Sequence, residues 1–115
     1  MDKNELLNRT KKFALDIIEF VNYLESKPSN KKIGYQLLDS GTSVGANYRA
    51  ACRAKSKADF IYKIKIVEEE ADESMFWLEL LKETNPHNNS LNGLLKESNE
   101  LTAIFTAIAK TSKGS

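Results

Sequence analysis

Hydrophobic side chains recur every three to four residues in four segments of the chain, a spacing that places them along one side of an α-helix. The segments run from Leu6 to Leu24, from Ile33 to about Ala54, from near Ser56 to the link around Pro86, and from about Leu91 to Ala109. No segment shows the strict alternation of a half-buried strand. The pattern therefore predicts an all-α chain of four helices.

Short polar links join the predicted helices, and two of the links carry the helix breakers Pro28 and Pro86. Ser56 precedes the third helix and is a suitable N-cap, with Asp59 three residues later. At 115 residues the chain has room for one modest hydrophobic core. We therefore expect residues 1–115 to form a single domain, an up-down-up-down antiparallel four-helix bundle.

The second helix contains the sequence SGTSVGANYR, which includes Gly41 and Gly45. A phosphate-binding loop would need four residues between its glycines and a lysine after the second, and a dinucleotide-binding loop would need a preceding strand. This stretch has neither. Small residues instead form one flank of the helix: Gly34, Gly41, Gly45 and Cys52. We predict that Gly41 and Gly45 let a neighbouring helix approach closely.

The third helix carries a second apolar stripe, far around the helix from its core positions. Its members are Tyr62, Ile66, Phe76, Trp77 and Leu80. Large exposed apolar patches are rare on monomers, so the stripe predicts self-association into a homo-oligomer. The alternative is a bundle interior that is wide enough to cover both stripes.

Glu69 and Glu73 lie one turn apart within this second stripe, where an unpaired carboxylate would be costly to bury. Arg49 and Arg53 on the second helix have the same spacing, and guanidinium groups pair well with carboxylates. Two arrangements remain open: the arginines pair with the glutamates, within the chain or across a subunit boundary, or they face water. The predicted oligomer interface comprises Tyr62, Ile66, Glu69, Glu73, Phe76, Trp77 and Leu80.

The 17 basic and 16 acidic residues give a net charge of +1, which does not by itself point to a polyanionic partner. The charges are unevenly distributed, however. Between Tyr48 and Val67 six basic residues accompany a single acid, Asp59, and the next sixteen residues hold seven acids against Lys82. The predicted nucleic-acid-binding residues are Arg49, Arg53, Lys55, Lys57 and Lys63. A ring of subunits would gather these cations into one rim that could hold a phosphate backbone.

Residue types that support catalysis or metal binding are sparse. The acidic run EEEADE lacks the Glu-x-x-His pairs of dinuclear metal sites, and the single histidine, His87, lies in a link. Cys52 has no partner for a disulfide and no neighbouring histidine to activate it. No apolar run is long enough to span a membrane. We expect a cytoplasmic protein with no enzymatic activity, no cofactor, no bound metal and no membrane partner.

The sequence LLDSGTSVGANYRAACRAKSKADFIYKIKIVEEEADESMFWLELL, from Leu37 to Leu81, resembles the bacterial 23S rRNA intervening-sequence proteins, also called the S23 family. The resemblance extends from Asn8 to Thr84, and helix four resembles the family in pattern only. It implies a cytoplasmic up-down bundle that assembles as a ring-shaped homopentamer, with genes often lying inside intervening sequences of large-subunit rRNA. The family has no agreed enzymatic activity.

A related branch of that family serves as the accessory protein of diversity-generating retroelements. In that branch, a positively charged pentameric barrel binds nucleic acid and the reverse transcriptase. The present chain is closer to neutral.

Two hypotheses of function belong to different classes. The first is a non-enzymatic homo-oligomeric bundle, pentameric if the resemblance holds, whose basic rim binds RNA or DNA weakly and without sequence preference. The second is a scaffold that recruits a protein partner and has no nucleic-acid role, so that its charges serve internal pairing. An enzyme is a third hypothesis, which no set of residues favours.

Overall fold

Four α-helices follow one another in this computed structural model, which describes residues 1–114. They are α1 (Lys3–Asn22), α2 (Pro28–Ala51), α3 (Lys57–Thr84) and α4 (Ser90–Gly114). No strand occurs in this range, so the prediction of an all-α chain with four helices is confirmed. Helices α1 and α2 begin before their apolar stripes, and α4 ends after its stripe, because the added turns are polar. Helix α1 ends two residues and α2 three residues earlier than expected.

Local signals fix where the helices begin. Asp2 caps α1, since its Oδ1 accepts a hydrogen bond from the Glu5 amide at 2.8 Å. Ser56 caps α3 as predicted, with its Oγ 3.1 Å from the Asp59 amide nitrogen. Pro28 occupies the first position of α2, where no backbone N–H is needed.

Each helix packs against the next along the chain, and α1 also contacts α4. The contacts between α2 and α3 run in opposite order along the two helices. Asn30 and Asn85 exchange two amide hydrogen bonds of 3.0 Å, and further along, the Ser40 and Ser74 hydroxyl oxygens lie 2.9 Å apart. All four side chains are buried, so these contacts set the register of α2 on α3.

One stripe of each helix contributes to a single hydrophobic core. Its members are Leu6, Phe13, Ile17, Phe20, Leu37, Val44, Tyr48, Ala51, Ile64, Val67, Ala71, Leu78, Leu81, Leu91, Leu94, Leu101, Phe105 and Ala109. The Tyr48 ring lies 5.3 Å from that of Phe105, and burial raises the pKa of the Tyr48 phenol. Tyr48 therefore acts as a neutral packing residue.

The glycine flank of α2 lies against α1. A Cβ atom at Gly41 would lie only 3.0 Å from Ile17 Cγ1, and one at Gly45 would lie 3.3 Å from the Thr10 carbonyl oxygen. Gly34 has slightly more room, because the nearest atom, Val21 Cγ1, would be 3.4 Å away. At Gly45 the two backbones are therefore nearly in contact, and at Gly41 the α2 backbone lies directly against the Ile17 side chain.

Candidate nucleic-acid interface

An open groove of about 590 Å³ runs between α1 and the C-terminal half of α2. Small and apolar side chains line it, among them Leu7, Ala14, Thr42, Gly45, Ala46 and Cys52. Its cations are Lys3, Lys11, Arg49 and Arg53. None of the described residues that line it is acidic, so the lining of this α1–α2 groove carries a net positive charge.

The two arginines of the groove are exposed and have no ion pair with any carboxylate of residues 1–114. In particular, neither Arg49 nor Arg53 pairs with Glu69 or Glu73 within the chain. The reason is geometric: Arg49 lies on the α1 side of α2, whereas both glutamates lie on the solvent side of α3. The sequence left two arrangements open, and in the single chain the arginines face water.

Two of the other predicted cations lie near one carboxylate. Lys63 Nζ donates to both oxygens of Asp59, at 2.7 and 2.8 Å, and the Lys55 amide donates to the same group at 3.0 Å. The hydrogen bond from Lys63 lowers the pKa of Asp59. The charge of Lys63 is thus locally balanced, while the Lys55 side chain remains exposed. Lys57 is also exposed, at the first position of α3.

Cations from all four helices or their flanks lie at one end of the molecule. A second cavity, of about 400 Å³, marks this end and is bordered by Lys3, Cys52, Phe60 and Ile108. The cations near it are Lys3, Arg53, Lys55, Lys57, Lys65 and Lys113, and we call this set the basic end. Lys65 lies close enough to Lys113 to lower the pKa of the Lys113 ammonium group. Positive charge is therefore crowded here, although three acids offset part of it: Glu68, Asp59 and Asp2, the last of which borders the cavity.

Lys65 lies within the basic cluster of the sequence but was not among the predicted binding residues. Three further cations of these surfaces were also not predicted: Lys3 and Lys11 on α1 and Lys113 on α4. They are far in sequence from the cluster between Tyr48 and Val67, and only helix packing brings them to it. A signal was available, because adjacent antiparallel helices bring the last turn of the fourth helix beside the start of the third.

The predicted interface residues form one exposed face of α3, which we call the α3 outer face. Tyr62 and Phe76 are 65% and 51% exposed, so the bundle interior does not cover the whole second stripe. Ile66 and Leu80 are half-buried, and Glu69 and Glu73 are exposed. Trp77 packs against the core, and its ring lies 5.1 Å from that of Phe76.

Negative charge on this side of α3 is not balanced within the chain. Burial raises the pKa of Glu70, and the neighbouring carboxylates of Glu73, Glu69 and Asp39 raise it further. No ion pair involves these four acids among residues 1–114. The α3 outer face is therefore both apolar and acidic.

Residues 1–114 contain no group of three or more His, Cys, Asp or Glu side chains placed to hold a metal ion. Within the same range, no helix is sufficiently long and apolar to cross a bilayer.

These features define an all-α, four-helix protein whose candidate sites are charged and apolar surfaces of its helices. The chain belongs to the 23S rRNA-intervening sequence protein family, whose model matches residues 2–107. A crystal structure of a protein of unknown function from the S23 ribosomal protein family of Bacteroides thetaiotaomicron is similar. It has a TM-score of 0.82 and 34% sequence identity, over 96% of this chain and 99% of that one. A comparison with curated proteins found no match.

The family resemblance seen in the sequence from Leu37 to Leu81 is thereby confirmed. The match also includes most of α4, where the sequence resembled the family in pattern only.

Proposed function

We propose that this protein is a non-enzymatic homo-oligomeric bundle that binds RNA or DNA through its basic end without reading sequence. The observation that carries the proposal is the convergence of cations from separate helices, including the adjacent ammonium groups of Lys65 and Lys113. Crowded positive charge without enough carboxylates to balance it is stabilised by a polyanion, whose phosphates replace small counterions.

The proposed assembly is a ring of up-down-up-down antiparallel bundles in the cytoplasm. The opposite order of contacts between α2 and α3, and between α1 and α2, supports the antiparallel arrangement. The family resemblance implies five subunits. In a ring whose bundles all point the same way, every basic end lies on the same rim, so the positive potential increases with subunit number.

Within the predicted cation set, the structure supports unequal roles. Arg49 and Arg53 have no intramolecular carboxylate partner in the described chain and are exposed, so their guanidinium groups can contact phosphate. Lys63 contributes less, because Asp59 already holds it. Such contacts are made to backbone phosphates, which are identical at every nucleotide, so the binding is not sequence-specific.

A salt titration of RNA binding tests this proposal. The affinity for a fluorescent single-stranded RNA should fall steeply with salt, with a logarithmic slope of about −0.7 for each phosphate contacted. Arg53→Ala and Lys113→Ala should each weaken binding and reduce the magnitude of the slope by about 0.7, the value of one phosphate contact. Lys32→Ala, an exposed lysine in the first half of α2, is the matched control and should leave the slope unchanged.

Two results would contradict the proposal. One is an absence of binding at a salt concentration of about 50 mM, where electrostatic contacts are strong. The other is an affinity that does not depend on salt. A protein partner that co-purifies after nuclease treatment, together with either result, would favour the scaffold hypothesis instead.

A further inference from the structure

The α3 outer face has the composition of a buried interface but is uncovered in the single chain. Its two most exposed aromatic rings, Tyr62 and Phe76, flank Glu69 and Glu73 along the helix. The carboxylates have no cation partner among residues 1–114. A surface that covers this face must therefore supply apolar side chains at one level and cations at another.

The α1–α2 groove and the adjoining surface of α1 have this complementary composition. Lys11 stands at the groove, and Leu15, one turn further along α1, is 56% exposed. Ile18, one turn beyond the groove residue Ala14, is 38% exposed. Because residues four apart share one side of a helix, Leu15 and Ile18 continue the surface of the groove along α1. Of the two acids beside them, Asp16 is already paired with Lys12, and Glu19 lies at the far edge of this surface. We call Leu15, Ile18, Lys11 and the adjoining part of the groove, formed by Ala14, Thr42 and Gly45, the α1–α2 face. Arg49 and Arg53 lie beyond it, toward the basic end.

Two contacts between helices, one from α2 to α3 and one from α1 to α2, show which residues lie at the same level along the molecule. Ser40 of α2 lies beside Ser74 of α3. Five residues from each of them, in the direction of the basic end, are Gly45 and Glu69. At a rise of about 1.5 Å per residue, both are displaced by about 7.5 Å and therefore lie at the same level.

Gly45 in turn lies against Thr10 of α1, whose neighbour in sequence is Lys11. Lys11 and Glu69 are therefore at nearly the same level on different sides of one subunit. Two copies related by rotation about an axis parallel to their helices would bring these groups together without any shift along that axis.

The apolar residues match in the same way. Glu73, next to Ser74, is level with Gly41, which lies against Ile17. Ile18 follows Ile17, and Phe76 is one turn beyond Glu73 on the same helix face. Phe76 of one copy thus comes within a turn of Ile18 in the next.

We propose that the α3 outer face of one copy of this chain docks on the α1–α2 face of a second copy, with Glu69 and Glu73 meeting Lys11. Phe76 then packs beside Leu15 and Ile18. This inference rests on the self-association in the proposed function and identifies the two surfaces that meet. Because the surfaces differ, the contact is heterologous, and repeated rotation closes it into a ring.

A symmetric contact between two α3 outer faces is disfavoured by charge. It would set Glu69 and Glu73 against their own copies, and opposed like charges at an interface destabilise it. The basic end is not consumed by the proposed contact, because Arg53, Lys55 and Lys113 lie nearer the end of the molecule than Lys11 does.

Charge reversal tests the proposed contact. The mass of the full chain is measured by sedimentation at several protein concentrations for Lys11→Glu, Glu69→Lys and the double variant. Each single reversal should weaken association on the order of tenfold and shift the mass toward the 13.0 kDa monomer. The double variant, which restores opposite charges, should recover the wild-type mass. Circular dichroism checks that each variant folds.

Lys96→Glu and Glu79→Lys are the matched controls, since both residues are exposed on helix surfaces outside the two proposed faces. They should leave the mass unchanged. A wild-type oligomer that neither single reversal affects would overturn the docking while leaving self-association intact. The docking would also be overturned if Glu69→Lys dissociated the oligomer and Lys11→Glu did not. A wild-type protein that is monomeric at all concentrations would overturn both the docking and the self-association. Failure to bind RNA would contradict the proposed function but not the docking.

Discussion

Gly41→Ala tests whether the close approach of α1 to α2 excludes even one methyl group. The new Cβ would lie 3.0 Å from Ile17 Cγ1 and 3.1 Å from Ile17 Cγ2. Ile17 is fully buried and β-branched, so it has few other rotamers and no open space into which it can move. We therefore expect α1 to shift by a few tenths of an ångström, with some loss of packing.

Two opposing effects determine the magnitude. Alanine is favoured over glycine in a helix interior by about 1 kcal/mol. Forcing an extra carbon into a packed core costs about 1 to 3 kcal/mol. The net change for Gly41→Ala is thus between about zero and about 2 kcal/mol of destabilisation.

Gly93→Ala is the control that isolates the contact, because a Cβ there would have no atom within 4 Å. This variant should gain about 0.5 to 1 kcal/mol from helix propensity alone. Urea unfolding followed by circular dichroism, at one protein concentration for all variants, gives the comparison. With a urea dependence of about 1 to 3 kcal/mol/M, the midpoints of the two variants should differ by roughly 1 M.

Equal stabilisation by Gly41→Ala and Gly93→Ala would refute the reasoning. It would mean that α1 yields to the methyl group at no cost. At Gly34 the nearest atom to a new Cβ is 3.4 Å away, so the stability of Gly34→Ala should lie between those of the other two variants. The three values together show how the tolerance for an added methyl group changes along α2.

Three further predictions concern polar groups. Asn30→Leu should destabilise the fold by about 1 to 3 kcal/mol, because it leaves the buried Oδ1 of Asn85 without its hydrogen-bond donor. In a double-mutant cycle of urea unfolding, Asn30→Leu together with Asn85→Leu should cost less than the sum of the two single variants. Burial raises the pKa of Glu70 above 4.5, so ionisation of Glu70 reduces stability as the pH rises above that value. Glu70→Gln should therefore raise the urea midpoint near neutral pH, and a persistent gain below about pH 4.5 would contradict this cause. Arg9→Ala removes a bidentate ion pair with Glu97, with hydrogen bonds of 2.6 and 2.8 Å. It should lower the free energy of unfolding, measured with urea, by about 1 kcal/mol, and by less at high salt.

The helical elements could be predicted from sequence because each depends on local information. The apolar period of α3 identifies Ile64, Val67 and Leu78 as core residues, and Ser56 marks the first turn. The period also separates the second stripe from the core, since it gives the angle of each residue about the axis of its own helix.

The partners of the charged residues could not be predicted, because they depend on how the helices are rotated and ordered relative to one another. Arg49 and Glu69 have opposite charges, and each has a second like charge four residues further on, yet they lie on different sides of the molecule. Lys65 and Lys113 are far apart in sequence and have the same charge, yet they are neighbours. A helical wheel contains neither relation.

The glycines that admit α1 also make α2 a weak helix in isolation, since each costs helix propensity and the segment offers few compensating leucines. Helix α3 is longer, at 28 residues, and carries none of these glycines. We expect α3 and α4 to pair first during folding, and α2 to become ordered only as it docks, together with α1. In native-state hydrogen exchange the amides of α1 and α2 should then open as one unit, ahead of those of the α3–α4 hairpin.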